Sequence, residues 1–403
     1  MPKISVIIPV FNTSEYLKKN IDSIINQTLS DFEVIYVDDG SSDNSLGILE
    51  IYAAKDSRIK ILKQSNAGAG VARNNGLSQA NGEYLLFLDS DDFFSPSLFE
   101  HAYNKAISEK ADIVIYRVNT YNEKTKKYSD AHWAYRREYL PTISPFCYKD
   151  ILKHIFNSFQ NWPWNKMFKH DFVKSNQLSF QPLLRTNDLF FTCTALVCAK
   201  RISLLDEVLV YYRNGISTNS QANNELAPTD FLKAFLALKN YLLEHKIYSK
   251  VEQSFKNLVI TGSLYNLQTQ KNERTFELVY NLLHNEAFEN LGLIGLDIDY
   301  FYDKSNAQHV NDIVKLSYSQ YLFRKNLKLQ TELNAIKNDL GIDNQKNFDL
   351  RSYKLGRILT FIPRVCKKII SSLYNQGVKA TFSIIKIKSK EKIGNIENHD
   401  KSI

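Results

Sequence analysis

Glu83–Asp92 (EYLLFLDSDD) is a continuous apolar run that stops in three carboxylates. Tyr84–Leu88 has the length and unbroken apolarity of a strand buried on both faces, and Asp89, Asp91 and Asp92 follow it directly. Taken alone, Asp-Ser-Asp-Asp can be no more than a turn and a helix cap ahead of Pro96. The same design recurs upstream. Ile4–Val10 and Phe32–Val37 are short β-branched or aromatic runs, and the second ends in Asp38-Asp39-Gly40-Ser41-Ser42-Asp43. Between them, from Ser14, Leu17, Ile21, Ile24 and Ile25 recur on one helical face. Leu46–Tyr52 and Val71–Ala80 read as helices around a strand at Ile59–Leu62, and a helix from Pro96 leads to a strand at Asp112–Tyr116. Strands alternating with helices predict an α/β fold, a Rossmann-like and mostly parallel sheet between helices. Ligands of such sheets bind beyond the carboxyl ends of the strands, where both acidic clusters fall.

The 403 residues are 44% apolar and 23% charged, the balance of a folded chain long enough for one large core or two moderate ones. The four cysteines (Cys147, Cys193, Cys198, Cys366) form no CxxC pair, and read as free thiols in a reducing compartment. The apolar run after Lys3 ends at Asn12, too short for a signal peptide, and no stretch of 18 apolar residues spans a bilayer. These features predict a cytoplasmic protein. Eight histidines without HxH or HExxH give zinc chemistry no support.

Transfer of a sugar from a nucleoside diphosphate needs the departing diphosphate neutralised, the acceptor hydroxyl deprotonated, and both held in line. Mn²⁺ or Mg²⁺ meets the first need and prefers carboxylate oxygens, which Asp89, Asp91 and Asp92 offer. Here the chain resembles glycosyltransferase family 2, of the nucleotide-diphospho-sugar transferase (GT-A) fold. The resemblance runs through Ile4–Asn12 (ISVIIPVFN), Val37–Asp43 (VDDGSSD), Ala72–Gly76 (ARNNG) and Glu83–Asp92, in order and spacing. It implies a UDP-sugar donor, with Asp39 on the uracil, Arg73 beside the nucleotide, Asp89 near the ribose and Asp91 on the metal. Structural alternatives stay open: Asp38 and Asp39 opening a turn, and Arg73 as a surface helix charge. A dinucleotide reading of Asn66-Ala-Gly68-Ala-Gly70 fails, because Arg73 stands at the third glycine position and the loop follows the third strand.

The family carries a Glu-Asp pair some hundred residues later, in which the Asp takes the acceptor proton. Its counterpart is Asn187-Asp188, with Asn in place of Glu, and Trp164-Asn165-Lys166-Met167-Phe168 resembles the acceptor-side segment before it. Asp188 is thus the expected general base, against a capping role before Leu189-Phe190-Phe191. Tyr211-Tyr212-Arg213, after an expected edge strand, resembles a late segment near the diphosphate, and Arg213 either offsets leaving-group charge or makes a surface ion pair. The resemblance implies an inverting enzyme acting on a glycan or lipid-linked acceptor in capsule, exopolysaccharide or cell-wall synthesis. A nucleotidyltransferase would carry a glycine-rich loop where Pro9-Val10-Phe11-Asn12 stands. A non-catalytic scaffold subunit of a polysaccharide-synthesis complex is the remaining alternative, prompted by Asn187.

The organisation expected is a catalytic domain over residues 1–225, with its nucleotide-sugar half in 1–120 and its acceptor half in 121–225. A helical bundle over 226–337, a polar linker over 338–350 and a basic tail over 351–403 follow. The net charge of +8 belongs to that tail: Arg351–Lys392 holds eleven Lys/Arg and one acid, a net +10 that leaves the remainder at −2. Ile358, Ile362, Val365, Ile369 and Leu373 recur at helical spacing with Arg357, Arg364, Lys367 and Lys368 beside them, and Pro363 kinks or restarts the pattern. Apolar face with cationic flank predicts association with an anionic membrane surface. No nucleic-acid motif accompanies the charge.

Overall fold

β-Branched runs with no polar interruption cannot rest on a half-solvated sheet, and Ile4–Val10 (β1) and Phe32–Asp38 (β2) are buried at every residue. The computed structural model describes residues 1–216 and 224–339. After β1 and β2 come Ile59–Lys63 (β3), Tyr84–Phe87 (β4), Phe93–Phe94 (β5), Ile113–Asn122 (β6), Lys127–Asp130 (β7), Lys166–Lys169 (β8) and Ile202–Asn214 (β9). The helices are Ser14–Ile25 (α1), Ser45–Ala53 (α2), Ala69–Ser78 (α3), Leu98–Ser108 (α4), His170–Ser175 (α5) and Leu189–Cys198 (α6). Beyond the sheet follow Asp230–Glu244 (α7), Tyr248–Gln268 (α8), Glu273–Leu282 (α9), Phe288–Asn290 (α10), Ser305–Lys315 (α11) and Tyr318–Asp339 (α12).

The nine strands form one sheet in the order β3-β2-β1-β4-β8-β6-β9-β5, with β7 paired to β6. The first four run parallel, as the alternating sequence predicts. Past β4 the sheet is mixed: β8 is antiparallel to β4 and to β6, whereas β9 is parallel to β6 and antiparallel to β5. β9 has strands on both sides only at Val210 and Tyr211, where β5 covers the end of the expected edge strand; before them its strand partner is β6. The two-residue β5 explains it: after the acidic turn the chain lays Phe93 and Phe94 against Tyr211 and Val210 before entering α4.

Chain order reverses at β1, which is flanked by β2 on one side and β4 on the other. Pairs Val10↔Asp38 and Ile7↔Phe87 bring the ends of β1, β2 and β4 to one edge, and crevices open at such reversals. The core beneath joins Val6, Ile8, Val34, Tyr36 and Leu86 to Leu17, Ile21 and Ile24 of α1 and to Phe99 of α4. Each such side chain contributes about 1.5–3 kcal/mol on burial, several times a surface ion pair, so the apolar runs and not the charges fix the sheet.

The chain divides into two compact units. The first comprises Met1–Gln270 and Leu282–Val314; in it α7 meets α6 through Phe190 and Tyr241, with ring centroids 6.0 Å apart. α8 closes on α7 where Gly262 leaves room for Phe235, whose ring would stand 2.6 Å from an added Cβ. The second comprises, among the described residues, Lys271–Asn281 and 315–339. There Tyr280 is fully buried, with Tyr321 4.8 Å away and its hydroxyl donating to the Leu316 carbonyl at 2.9 Å. No described helix is long and apolar enough to cross a membrane. Most of the expected linker and the whole basic tail lie outside the described residues.

Candidate functional site

The turn after β4 delivers the acids in one place. Asp89, Asp91 and Asp92 each offer an oxygen, and these oxygens lie within 4.8 Å of one another. Asn20 of α1 shapes the turn: its amide donates to the carbonyls of Asp89 (2.9 Å) and Asp92 (3.0 Å), and the Tyr36 hydroxyl donates to its oxygen. Asn20 is fully buried. Sequence reasoning missed it, although a polar residue one turn after Leu17 on the apolar face of α1 is the signal. Thr13 adds a hydroxyl bond to Ser90 at 3.1 Å.

The acids fit a divalent cation. Burial, with the like charge of Asp89, pushes the Asp91 carboxyl up to about 7, and burial with Asp91 and Asp89 pushes Asp92 up as well. Asp92 Oδ1 accepts from the Arg213 amide at 2.7 Å, whereas its buried Oδ2 has no partner. Three crowded carboxylates with an orphaned oxygen are a hard-cation donor set.

Asp39 ends its strand in a cradle. Its Oδ1 accepts from Gln64 and the Ala67 amide, and its Oδ2 from the Gly68 amide, all at 2.8 Å. The carboxylate thus binds the 64–68 loop to β2 and keeps one acceptor position in hand. Gly40 turns the chain at φ +75°, where a Cβ would meet the Asn66 nitrogen at 3.0 Å.

Arg73 stands at the centre. On α3 and only 5% exposed, it donates from Nη2 to Asp89 at 2.6 Å and from Nη1 to the Asn187 oxygen at 3.0 Å. It is therefore no surface charge. The bridge joins the β4 turn to the segment ahead of α6, 114 residues from Arg73 along the chain. Asp188 immediately precedes α6 and makes no side-chain capping bond, which leaves its carboxyl uncommitted to the helix. Burial pushes it up to about 6; Arg73 and Lys166 oppose that rise and Asp89 adds to it.

Arg213 is brought to the cluster from behind. It is 2% exposed, donates from Nε to the Asp91 carbonyl at 2.6 Å, and pairs through Nη1 with Glu123. The rings of Tyr16, Phe93 and Tyr121 surround its guanidinium at 5.0, 5.3 and 5.7 Å. This is a buttress under the acidic turn, and the surface ion pair considered for Arg213 is excluded by its burial. Glu123 was missed by sequence reasoning, because it lies in an otherwise unremarked hairpin position; Lys166 was quoted within the acceptor-side segment but given no role of its own.

A parallel α/β half-sheet whose reversal point carries an acid cluster, tied through Arg73 to the segment of a half-buried Asp, is that of a GT-A-type glycosyltransferase. The signature described as "Glycosyl transferase family 2" covers residues 5–175. EpsH of Bacillus subtilis (strain 168), a glycosyltransferase by name, is 31% identical over 294 residues, which are 70% of this chain and 82% of that protein. With that, the chain belongs to glycosyltransferase family 2. Poly(ribitol-phosphate) beta-N-acetylglucosaminyltransferase TarP of Staphylococcus aureus (strain N315) is 28% identical over 285 residues, 67% of this chain and 84% of TarP. The crystal structure of S. aureus TarS 1-349 in complex with UDP-GlcNAc superposes with a TM-score of 0.56 at 23% identity, over 77% of this chain and 90% of that one. That likeness carries the fold.

Proposed function

We propose that this glycosyltransferase moves a sugar from a UDP-sugar to a hydroxyl of a glycan or lipid-linked acceptor, with inversion at the anomeric carbon. The Arg73 bridge carries the reading: one guanidinium holds the acidic turn and the Asp188 segment together. In the step itself the acceptor oxygen attacks the anomeric carbon opposite the diphosphate, and the bond from that carbon to the phosphate oxygen breaks. The electron pair leaves with UDP, and the hydroxyl proton passes to Asp188. Asp39 keeps an acceptor position for the uracil N–H, Asp89 faces the ribose, and Arg73 and Arg213 add positive charge around the phosphates. Mn²⁺ or Mg²⁺ held by Asp91, with Asp89 and Asp92 beside it, would neutralise charge on the diphosphate.

The donor class is supported by TarS, whose structure holds UDP-GlcNAc on the same fold, and the acceptor class by TarP, whose name places its sugar on a wall polymer. Association of residues 351–392 with an anionic membrane surface belongs to the same proposal, since it would hold the site near a lipid-linked acceptor. The test is UDP release from a panel of UDP-sugars. One sugar should give release that vanishes with EDTA, returns with Mn²⁺ or Mg²⁺, and is absent in Asp91→Ala although that variant keeps its circular dichroism. Full release by a metal-depleted sample, or none from any UDP-sugar with acceptor supplied, would overturn the reading.

A further inference from the structure

We propose that Lys166 is a positioning residue of the acceptor side: its buried ammonium pins residues 160–165 and lends positive charge to the Asp188 end of α6. The second half rests on Asp188 being the base. Lys166 opens β8 beside Met167 and Phe168, and all three are fully buried. A lysine in such a place costs several kcal/mol unless its charge is met. Its Nζ donates to the Gln160 carbonyl (2.8 Å), the Trp162 carbonyl (2.8 Å) and the Asn165 side-chain oxygen (2.7 Å). Three oxygens take three ammonium hydrogens. A neutral amine has two, and would set its lone pair against the third oxygen. Burial works against the charge, but the bonding selects the cation.

The segment so pinned is the one that bears the aromatic stack of the acceptor half. Trp162 lies on Trp164 at 4.7 Å, and Trp164 lies parallel to Tyr212 at 5.4 Å. Its Asn161 accepts from the Cys193 thiol of α6 at 3.1 Å, and β8 packs under the same helix through Phe168 and Phe191, 5.2 Å apart. Lys166 therefore anchors the loop beside the helix that Asp188 opens.

The charged groups around Asp188 are Arg73 on α3, Asp89 beyond β4, Lys166 on β8 and Arg185 in its own segment; those around Lys166 are Asp188 and the Cys193 thiol. Arg73 is already matched by Asp89. Lys166 pairs with no carboxylate among the described residues, so its field is left to act on Asp188.

The experiment compares Lys166→Met, which loses the charge and all three bonds, with Lys166→Gln, which loses the charge but keeps a shorter neutral donor able to replace part of the bonding. In both, the acid limb of the kcat/KM profile for UDP-sugar transfer should move up by about one pH unit. Tryptophan emission should change more in the Met variant. A Gln variant that is slow but keeps the wild-type limb reduces Lys166 to a structural clamp and overturns the charge argument; unchanged emission in the Met variant overturns the clamp. Should neither variant fold, ¹⁵Nζ spectroscopy of the wild-type protein at pH 6.5 decides, where an ammonium supports the proposal and a neutral amine overturns it. Asp188→Asn separates the two readings. If that variant keeps full activity, Asp188 is not the base, and the emission result still judges the clamp.

Discussion

As the proposed base, Asp188 would meet two conflicting demands, ionisation for catalysis and a desolvated place beside the acceptor hydroxyl. Its carboxyl rises from 3.8 to about 6, with burial as the largest cause. A base must be ionised to accept a proton, so kcat/KM should fall as pH drops through about 6, and Asp188→Asn should lower transfer by about 10²-fold or more above that pH and by progressively less below it. UDP affinity by calorimetry should stay at the wild-type value, and its loss would put Asp188 in the nucleotide site instead. The same shift has a stability consequence of definite sign. Because the folded-state value is raised, the stability Asp188 lends is present below about 3.8 and lost as pH rises through about 6. Asp188→Asn should therefore raise the melting temperature more at pH 8 than at pH 5. Equal changes at both values would mean that the native carboxyl titrates normally. Asp38, Asp39 and the acidic turn stood out because each ends an apolar run in charge, whereas Asp188 was singled out only through the resemblance to the family's Glu-Asp pair. Asn20 was not, since one amide inside a helical apolar stripe resembles an ordinary boundary residue until Asp89 and Asp92 are seen to accept from it.

Between elements, the decisive fit is α3 against the segment that leads into α6. Gly70 makes that contact possible: an added Cβ would stand 2.4 Å from the Gln181 carbonyl and 2.9 Å from Asn187 Cβ. Asn74 seals the same seam one turn on, its amide donating to the Phe180 carbonyl at 2.8 Å and its oxygen accepting from the Phe180 amide at 2.9 Å. Gly70→Ala must push backbone apart, an overpacking cost of about 1–3 kcal/mol. It should also stretch the bond from Arg73 to Asn187, so transfer should fall more than the loss in urea midpoint explains. An alanine variant with wild-type rate and stability would show the seam to be slack. Helices and parallel strands up to β4 were readable from period and length, because each is set by local pattern and short right-handed connections. The pairing of β8 between β4 and β6, and of β9 beside β6, was not. Those partners are separated by dozens of residues, and nothing local in Lys166–Lys169 states which strand it will join or in which direction.

For the whole chain, charge is distributed by region and not by surface. Residues 351–392 hold a net +10, whereas everything else sums to −2. A remainder that is nearly neutral has little attraction for anionic lipid, and the proposed role of the tail is to supply it. Each basic residue near such a surface contributes on the order of 1 kcal/mol, so the eleven together are comparable with an association cost of about 4–15 kcal/mol. The apolar positions Ile358, Ile362, Val365, Ile369 and Leu373 offer the second anchor that electrostatics alone does not provide. Electrostatic binding is screened within about 8 Å at physiological salt, so the association should weaken as salt rises and persist in part through those apolar residues. A chain ending at Asn347 should still release UDP from the correct UDP-sugar, and no longer sediment with vesicles containing phosphatidylserine. Full-length protein should sediment with them at moderate salt and ignore vesicles of phosphatidylcholine alone. If both lengths sediment equally, the lipid contact lies in the catalytic unit. If neither does, the ten positive charges serve a partner other than the membrane, and proximity to a lipid-linked acceptor must be achieved without them.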